Sequence, residues 1–388
     1  MAIDIEKNIF NEPRLRAAME KEGVDLLIVR GPENSKYLSG FFHNGGTLGY
    51  RPFVVFYFAD PAKKPALVVP AVDLHLAMDS TWIGDCRAYA MAEFFTDLDV
   101  HFYEDFFDAA KAVLADRGVK GMTIGTEGDQ LTEGYRKRLD ALLEGNRTVD
   151  FSRQLELVRM VKTKEEIRRL KVATGWTVEA HAAFRAAIKP GATDWDLHKA
   201  ACHKMIELGS EGPKFINVGS GPTSFAAHAP FPTGHVLQPG DFAKVDMGAY
   251  CLGYGADFVR SYYLGHCSQR QQDIWKWLNE VQMELGLSVR LGDTGGDIFR
   301  RGYDAISKHL EDFPREFVGH SIGLSSHEEP RMNEVNRTAV KPDTVYCIEY
   351  SYYSEGVRFH TEETFLIDAN GKIECWTKDC PRDLIVPI

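Results

Sequence analysis

The sequence is poor in cysteine, and its seven cysteines are scattered with no pair in CxxC spacing. An odd number of scattered cysteines in a long chain argues against a disulfide framework, so we expect reduced thiols and a cytoplasmic protein. Residues 1–20 contain no basic stretch followed by an apolar one, so no secretory signal is expected. No apolar run reaches the roughly 20 residues that span a bilayer, which predicts that the protein has no membrane partner.

Long basic runs are absent as well, and the formal net charge is −11. An acidic chain is not attracted to the phosphates of nucleic acids or to anionic lipids, so neither is expected as a partner. The composition is otherwise ordinary, with 44% hydrophobic and 26% charged residues. The 388 residues are enough for two or three domains with sizeable cores.

Residues 1–155 alternate between helix-like and strand-like segments. The segment PRLRAAMEKEG is amphipathic and stops at a glycine, and VDLLIVR, which follows, has the continuous apolar character of a buried strand. Further strand-like and helix-like segments follow in turn. This alternation predicts a small α/β domain.

Residues 156–388 have a different pattern. Thr163 and Glu166 form the capping-box pattern that begins a long amphipathic helix, which we expect to end at the KPG sequence of residues 189–191. Hairpin-like segments follow at 214–265 and 343–367, with helices between them at 268–286 and 294–309. The pattern predicts an α+β domain with helices packed on an antiparallel sheet.

Two aspartates lie in apolar, strand-like runs on either side of a glycine-containing turn. If residues 250–253 form the turn, Asp246 faces Asp257 across the hairpin, with Cβ atoms roughly 4.5–5.5 Å apart. Two carboxylates in a low-dielectric setting repel each other, so either one is protonated or a cation lies between them. A surface hairpin with solvated charges is the alternative for this pair alone.

A second hairpin near the C-terminus repeats the arrangement. A turn at Glu355 and Gly356 places Glu349 opposite Glu362, while the neighbouring Glu363 points to the other face of the sheet. One acidic pair could be a protonated structural dyad. Two such pairs favour a metal site.

Two histidines, His320 and His327, lie in the glycine-containing stretch FVGHSIGLSSHEEP. Neutral imidazole is a common ligand of transition metals, although His327 could instead cap a turn. Four carboxylates and one histidine could hold two divalent ions roughly 3.5–4 Å apart. Such hard ligands favour Mn or Fe and tolerate Co or Zn.

The order Asp246, Asp257, His320, Glu349 and Glu362 resembles the five-ligand pattern of the M24 "pita-bread" metallohydrolases, which include aminopeptidase P, prolidase, creatinase and ectoine hydrolase. The surrounding segments NVGSGPTSFAAHAPF and LQPGDFAKVDMGAYCLGYGADFVRSYYLG are similar to the family as well. NSKYLSGF in the first half resembles the creatinase/prolidase-type N-terminal domain. The resemblance implies a C-terminal pita-bread domain, an α/β creatinase-like N-terminal domain and a homodimer.

The resemblance also implies roles for single residues. Asp246 would hold one ion, Asp257 and Glu362 would bridge both, and His320 and Glu349 would hold the second. A hydroxide between the ions would be the nucleophile, and Glu349 would take and return its proton. His228 and His327 would steady the substrate carbonyl and the tetrahedral intermediate, although His228 could also be an ordinary loop histidine.

The sequence departs from the family's peptidases at two positions. Glu349 is followed by Tyr350 and serine where the peptidases usually have Pro-Gly, and His360 takes the arginine position of their Arg-x-Glu. Arg358, His360 and Glu362 share one strand face by alternation. We therefore predict that Arg358, His360 and Tyr350 contact the substrate, with packing as the alternative for His360.

The resulting prediction is a dinuclear metal-dependent hydrolase that cleaves an amide-type C–N bond in a small molecule or short peptide, with Xaa-Pro peptides as the default substrate. The leading alternative is a non-peptidase relative that acts on a small metabolite by hydrolysis or elimination. A non-catalytic binding module and a metal-free creatinase-like hydrolase are further alternatives.

Several other features receive simpler interpretations. The segment GSGPTS, residues 219–224, lacks the GK[ST] of a phosphate loop. Cys251 and Cys347 have no evident base, so a thiol nucleophile is not expected. Three helical histidines are expected to be structural, namely His181, His198 and His203. By the resemblance, His43, Tyr50 or Arg51 could reach a neighbouring subunit's cleft.

Overall fold

The computed structural model describes residues 6–42, 52–89, 100–229, 231–314 and 316–388. The chain divides into two units, Met1–Arg159 and Met160–Ile388. The sequence placed the division after residue 155. His43, Tyr50 and Arg51, the candidates for contact with a neighbouring subunit's cleft, lie outside the described residues.

The first unit contains a seven-stranded sheet in the order β5-β4-β3-β2-β1-β6-β7. Pairings β1–β2 and β2–β3 are antiparallel, and the others are parallel. All residues of the central strand β1 are buried, as its continuous apolar run predicts. The strands are β1 Leu26–Val29, β2 Val54–Phe58, β3 Ala66–Pro70, β4 Asp85–Tyr89, β5 Phe102–Tyr103, β6 Thr123–Thr126 and β7 Arg147–Asp150.

Helices alternate with these strands, which confirms the α/β class of this unit. They are α1 Glu12–Glu22, α2 Pro32–Ser39, α3 Leu74–Ser80, α4 Phe106–Asp116, α5 Glu133–Leu142 and α6 Ser152–Arg159. Helix α1 shows how the sequence determines both ends of a helix. It begins after Asn11, whose side chain accepts a hydrogen bond from the Arg14 amide, and ends at Gly23 with φ 62°.

The second unit begins with two long helices, and two more lie between its hairpins. They are α7 Lys164–Ala187, α8 Asp194–Leu208, α9 Gln269–Ser288 and α10 Gly295–Ile306. The predicted capping box is confirmed, because Thr163 and Glu166 exchange both hydrogen bonds at the start of α7. In the described part of the chain, no helix has the length and apolar character to cross a membrane.

Two sheets carry the strands of the second unit, in the orders β10-β9-β11-β16, with β8 also pairing β9, and β12-β13-β14-β15. Their pairings are antiparallel as predicted, apart from the parallel pair β11–β16. The strands are β8 Pro213–Ser220, β9 Phe242–Cys251, β10 Tyr254–Gly255, β11 Phe258–Leu264, β12 Gly319–Ser321, β13 Thr344–Ser354, β14 Val357–Ile367, β15 Ile373–Cys375 and β16 Ile385–Val386.

The first acidic hairpin has a different register from the predicted one. Its loop consists of Leu252 and Gly253, with φ 52° and 78°, and this loop pairs Asp246 with Val259. The two-residue loop with both residues at positive φ suits the right-handed twist of the strands. The prediction that Asp246 directly faces Asp257 is therefore wrong. Asp257 lies in the short break between β10 and β11.

The second acidic hairpin has the predicted register. Glu355 and Gly356 form its turn at positive φ, and Glu349 pairs with Glu362. Glu363 points away from that pair and binds the guanidinium of Arg260 at 2.9 Å, with both side chains fully buried. The strand alternation thus separates neighbouring glutamates into two environments.

Candidate metal centre

Five of the predicted site residues come together in the second unit. One ligand atom from each of Asp257, His320 and Glu362 lies within 4.8 Å of the others, and a second such group consists of His320, His327 and Glu349. His320 belongs to both groups. His320, Glu349 and Glu362 lie on β12, β13 and β14, Asp257 lies in the break between β10 and β11, and His327 lies in the segment that follows β12.

His320 is oriented by its own neighbour along the chain. Its Nδ1 lies 3.1 Å from the Ser321 carbonyl oxygen, so Nδ1 carries the proton in that hydrogen bond. Nε2 faces the carboxylates, at 3.4 Å from Glu349 Oε1 and 3.5 Å from Glu362 Oε1. In the neutral ring the Nε2 lone pair would therefore point into the cluster, as a metal ligand requires.

Three carboxyl groups of the cluster resist ionisation. Burial, followed by the charges of neighbouring carboxylates, raises the pKa values of Asp246 and Glu362 well above their ordinary range. Burial also raises the pKa of Asp257 to about 6. Asp246 thus interacts electrostatically with the cluster, although it belongs to neither ligand group among the described residues.

Glu349 behaves differently from the other three. Burial opposes its ionisation, but hydrogen bonds with His320 and His360 outweigh burial and lower its pKa. His360 Nε2 lies 2.7 Å from Glu349 Oε2. Glu349 is therefore the carboxylate that the protein itself keeps ionised.

The cluster fits divalent cations. Asp246 Oδ1 and Glu362 Oε1 are buried and have no hydrogen-bond partner among the described residues. Buried polar oxygens without partners are costly, and several carboxylates at one place add mutual repulsion. A cation bound by these oxygens and by His320 would remove both costs. Carboxylate oxygens with one imidazole suit hard divalent ions such as Mn or Fe and also tolerate Co or Zn.

The family comparison agrees with this geometry. Residues 168–369 match the family model for metallopeptidase family M24, and residues 13–161 match the creatinase/prolidase N-terminal domain. The chain belongs to metallopeptidase family M24. It is therefore an M24 metallohydrolase, and the family implies a divalent metal cofactor.

Relatives of this M24 enzyme cover nearly its full length. The Xaa-Pro dipeptidase of Pyrococcus furiosus is 26% identical over 358 residues, covering 91% of this chain and 93% of the relative. The structure of the Xaa-Pro dipeptidase from Bacillus anthracis matches with a TM-score of 0.81 at 22% identity, covering 96% and 98% of the two chains. The structure of the X-Pro aminopeptidase from Thermotoga maritima matches with a TM-score of 0.80 at 23% identity, covering 97% of this chain and 99% of that chain. These likenesses confirm the predicted pita-bread fold and creatinase-like N-terminal domain.

His327 lies at the exposed edge of the candidate metal centre. Its ring centroid is 4.0 Å from that of His320, and both rings line a cavity of about 330 Å³ together with Phe317 and Arg331. Partial burial and the nearby charge of His320 lower the pKa of His327 to about 4. The ring is thus neutral near neutral pH and can donate a hydrogen bond without carrying charge.

His228 belongs to neither ligand group among the described residues, and its side chain is exposed. It ends the segment of residues 224–228, which lies against β14. The Arg358 guanidinium binds the Ala227 carbonyl oxygen of this segment at 2.8 Å. The structure therefore connects His228 to the strand that carries Glu362.

The three predicted substrate contacts have different surroundings. Tyr350 packs in the core beneath α9 and α10, with its ring 5.5 Å from that of Phe313. Since Glu349 faces the site, strand alternation turns Tyr350 to the opposite face, so its prediction as a substrate contact is wrong. His360 faces the site and binds Glu349, and Arg358 shares its face.

Two residues near the site escaped the sequence analysis. Lys244 is buried on β9, and the same alternation places it on the face of Asp246, two residues away, which was a usable signal. Arg331 lines the cavity beside His327, which it follows in the same segment HEEPR, residues 327–331.

The structure also describes the histidines and cysteines for which the sequence predicts no catalytic role. His181 is fully buried on α7 and lies 3.1 Å from the Phe258 carbonyl oxygen, as expected of a structural histidine. His198 and His203 lie on α8. Burial raises the pKa values of the Cys251 and Cys347 thiols, which agrees with the expectation that neither is a nucleophile.

Proposed function

We propose that this M24 enzyme uses two divalent ions to hydrolyse the amide bond of an Xaa-Pro dipeptide or short peptide. The observation that carries the proposal is a cluster beside a small cavity, in which Asp257, Glu349 and Glu362 lie around His320. Asp246 is electrostatically coupled to this cluster, and Asp246 and Glu362 each keep a buried oxygen without a hydrogen-bond partner among the described residues. The full-length relative from Pyrococcus furiosus is named as an Xaa-Pro dipeptidase, which supports this substrate class. A homodimer is proposed from the family resemblance alone.

The proposed metal ligands are Asp246, Asp257, His320, Glu349 and Glu362, with Mn or Fe as the preferred ions and Co or Zn as possible replacements. Bound divalent ions supply a Lewis acid for the scissile carbonyl and bring the pKa of water towards neutrality. The protein contributes a fixed and largely dry arrangement of these ligands.

Glu349 is the proposed proton carrier. It is ionised through its hydrogen bonds with His320 and His360, so it can accept a proton at one carboxylate oxygen and return it to the leaving nitrogen. His327, neutral and at the mouth of the cavity, would donate a hydrogen bond to the developing oxyanion. His228 would steady the substrate carbonyl.

The cavity supports a small substrate. Its volume of about 330 Å³ lies at the lower end of the range for ligand pockets. Arg331 in its wall places a positive charge where a substrate carboxylate could bind, and Phe317 adds an apolar surface. A dipeptide with a C-terminal proline combines an apolar ring with such a carboxylate.

The test is an assay of the purified protein, after chelation and reloading with Mn, Fe, Co or Zn. Xaa-Pro dipeptides should be cleaved, and the same dipeptides with C-terminal alanine should be poor substrates. Glu349→Gln should lower kcat by at least about 100-fold, the lower range for a general acid–base group. Absence of Xaa-Pro cleavage with every metal would contradict the proposal.

A second candidate is hydrolysis or elimination on a small non-peptide metabolite. It is favoured by the hydrogen bond of 2.7 Å between His360 and Glu349, at a position where the family's peptidases commonly have arginine. Creatine, cyclic amidines and sulfonium compounds would test it in the same assay. Metal analysis of protein purified without added ions tests the two remaining alternatives, since a non-catalytic binding module and a metal-free creatinase-like hydrolase should both contain none. The metal-free hydrolase would also be expected to have lost ligand residues.

A further inference from the structure

The segment of residues 224–228, which ends at His228, is held by the side chain and backbone of one arginine. Arg358 donates from its backbone N–H to the Ser224 carbonyl oxygen at 3.0 Å and from Nη1 to the Ala227 carbonyl oxygen at 2.8 Å. Its Nη2 donates to Ser351 Oγ at 3.0 Å. The segment is therefore fixed at both ends to β14, in a position where Arg358 is only 9% exposed.

A second buried basic side chain holds the middle of the segment. Lys244, which is 2% exposed, donates from Nζ to the Ala226 carbonyl oxygen. Lys244 pairs across the sheet with Gly219, and a Cβ on that glycine would lie 2.9 Å from Lys244 Cε. Gly219, which has no side chain, thus leaves room for the Lys244 side chain to reach the Ala226 carbonyl oxygen.

Both basic residues belong to strands that carry predicted metal ligands. Lys244 shares a face of β9 with Asp246, and Arg358 shares a face of β14 with Glu362. Neither side chain hydrogen-bonds a predicted ligand among the described residues; each donates to a carbonyl oxygen of the segment instead. The rigid strands that set the ligand positions therefore also set the position of His228.

We propose that Arg358 and Lys244 are positioning residues, which act on catalysis by fixing the segment that carries His228. The proposal rests on the function proposed for His228. It replaces the sequence-based interpretation of Arg358 as a substrate contact, because two of its side-chain donors already bind protein oxygens. The aromatic ring of Tyr353, 5.6 Å from the guanidinium, completes this packing.

The test is a double-mutant cycle on kcat and KM with the best Xaa-Pro substrate, using Arg358→Met, Lys244→Met and His228→Ala. A displaced catalytic group can cost about 100-fold, so each methionine variant should lower kcat by about 10–100-fold in the presence of His228. In the His228→Ala background each should cost less than about 3-fold, because the positioned group is gone. Arg358→Lys, which can still reach one carbonyl, should retain more activity than Arg358→Met. The exposed residue Arg290, changed to Met, is the matched control.

The opposite results would overturn the proposal. Equal loss from Arg358→Met in both backgrounds, or a raised KM with kcat retained, would indicate a direct substrate contact. Bound-metal content should not fall in either methionine variant, since neither residue is a ligand. A loss of metal would overturn the positioning role.

Hydrogen exchange provides a measurement that does not depend on activity. The amides of Ser224 and Ala226 donate to the carbonyls of Gly221 and Thr223 at 3.2 and 3.0 Å. Both amides should exchange at least about 10-fold faster in Arg358→Met than in the wild type and in Arg290→Met. Unchanged exchange would overturn the inference, whereas a wild type that cleaves no Xaa-Pro peptide would contradict only the proposed function.

Discussion

Removal of the metal should make the stability of this enzyme depend on the ionisation of Asp257. Its pKa in the folded protein is about 6, raised from an ordinary value of 3.8 first of all by burial. The unfolded chain therefore loses this proton near pH 4, whereas the folded apoprotein keeps it until about pH 6. Since the folded pKa is the higher one, the contribution of Asp257 to stability is complete below pH 4 and is lost as the pH rises to 6.

The size of the loss follows from the two pKa values. Each tenfold difference in proton affinity is worth about 1.4 kcal/mol, so the rise from 3.8 to about 6 corresponds to about 3 kcal/mol. Urea unfolding of the chelated protein at pH 4 and pH 7 measures it. Asp257→Asn should gain about 3 kcal/mol relative to the wild type between these two pH values, because the amide cannot ionise.

Metal addition at pH 7 should reverse the effect in the wild type. A metal ion at a free concentration of 100 times its dissociation constant stabilises the folded state by about 2.7 kcal/mol. The Asp257→Asn variant should show a much smaller gain in stability, because it lacks one predicted ligand. Asp304→Asn, at an exposed position of α10, controls for the change of net charge. If wild type, Asp257→Asn and Asp304→Asn change in parallel with pH, the electrostatic reasoning about the cluster is refuted.

Three further predictions concern the supporting structure. Glu363→Gln should lower the free energy of unfolding by about 3–5 kcal/mol, because it leaves the fully buried charge of Arg260 uncompensated; urea unfolding measures this. Gly248→Ala should weaken metal binding at least about 10-fold in a calorimetric titration, since its new Cβ would lie 1.8 Å from the Ala256 carbonyl oxygen, directly before a predicted ligand. Tyr350→Phe should leave KM unchanged and stability equal or up to about 1 kcal/mol higher, because the hydroxyl is buried without a hydrogen-bond partner among the described residues.

Each of these variants has a control and a contrary outcome. The double variant Arg260→Met with Glu363→Gln should recover part of the lost stability, and a loss equal to that of the single variant would contradict the ion-pair argument. Gly134→Ala on α5 introduces a Cβ with open space around it and should leave metal binding unchanged. A several-fold change of KM in Tyr350→Phe would indicate that Tyr350 contacts the substrate.

The sequence predicted the second hairpin better than the first, for a physical reason. Glu355 and Gly356 supply the expected turn, and the pairing of Glu349 with Glu362 follows. The first hairpin turns at Leu252, a residue that rarely adopts positive φ, so local propensity pointed to the wrong register. The error had limited consequences, because electrostatic coupling within the cluster does not require Asp246 and Asp257 to face each other directly.

Other parts of the site could not be read from local patterns. Strand alternation places Lys244 on the face of Asp246, but its contact with the Ala226 carbonyl oxygen depends on tertiary structure. Arg331 lies in an irregular segment, so no periodicity identifies it as part of the cavity wall. Tyr350 is the opposite case. The alternation that placed Glu349 in the site already excluded its neighbour, and that rule should have outweighed the unusual residue type.

The neighbouring residues Glu362 and Glu363 show how this fold separates structural from functional carboxylates. Both are almost completely buried on the same strand, so burial and local sequence do not distinguish them. Glu363 faces Arg260 at 2.9 Å and also binds Arg382, so its charge is compensated by the protein. Glu362 faces other carboxylates and keeps one oxygen without a hydrogen-bond partner among the described residues. A buried carboxyl group whose charge the protein leaves uncompensated either stays protonated or binds a cation from solution, and this difference between adjacent residues is the strongest physical argument for the candidate metal centre.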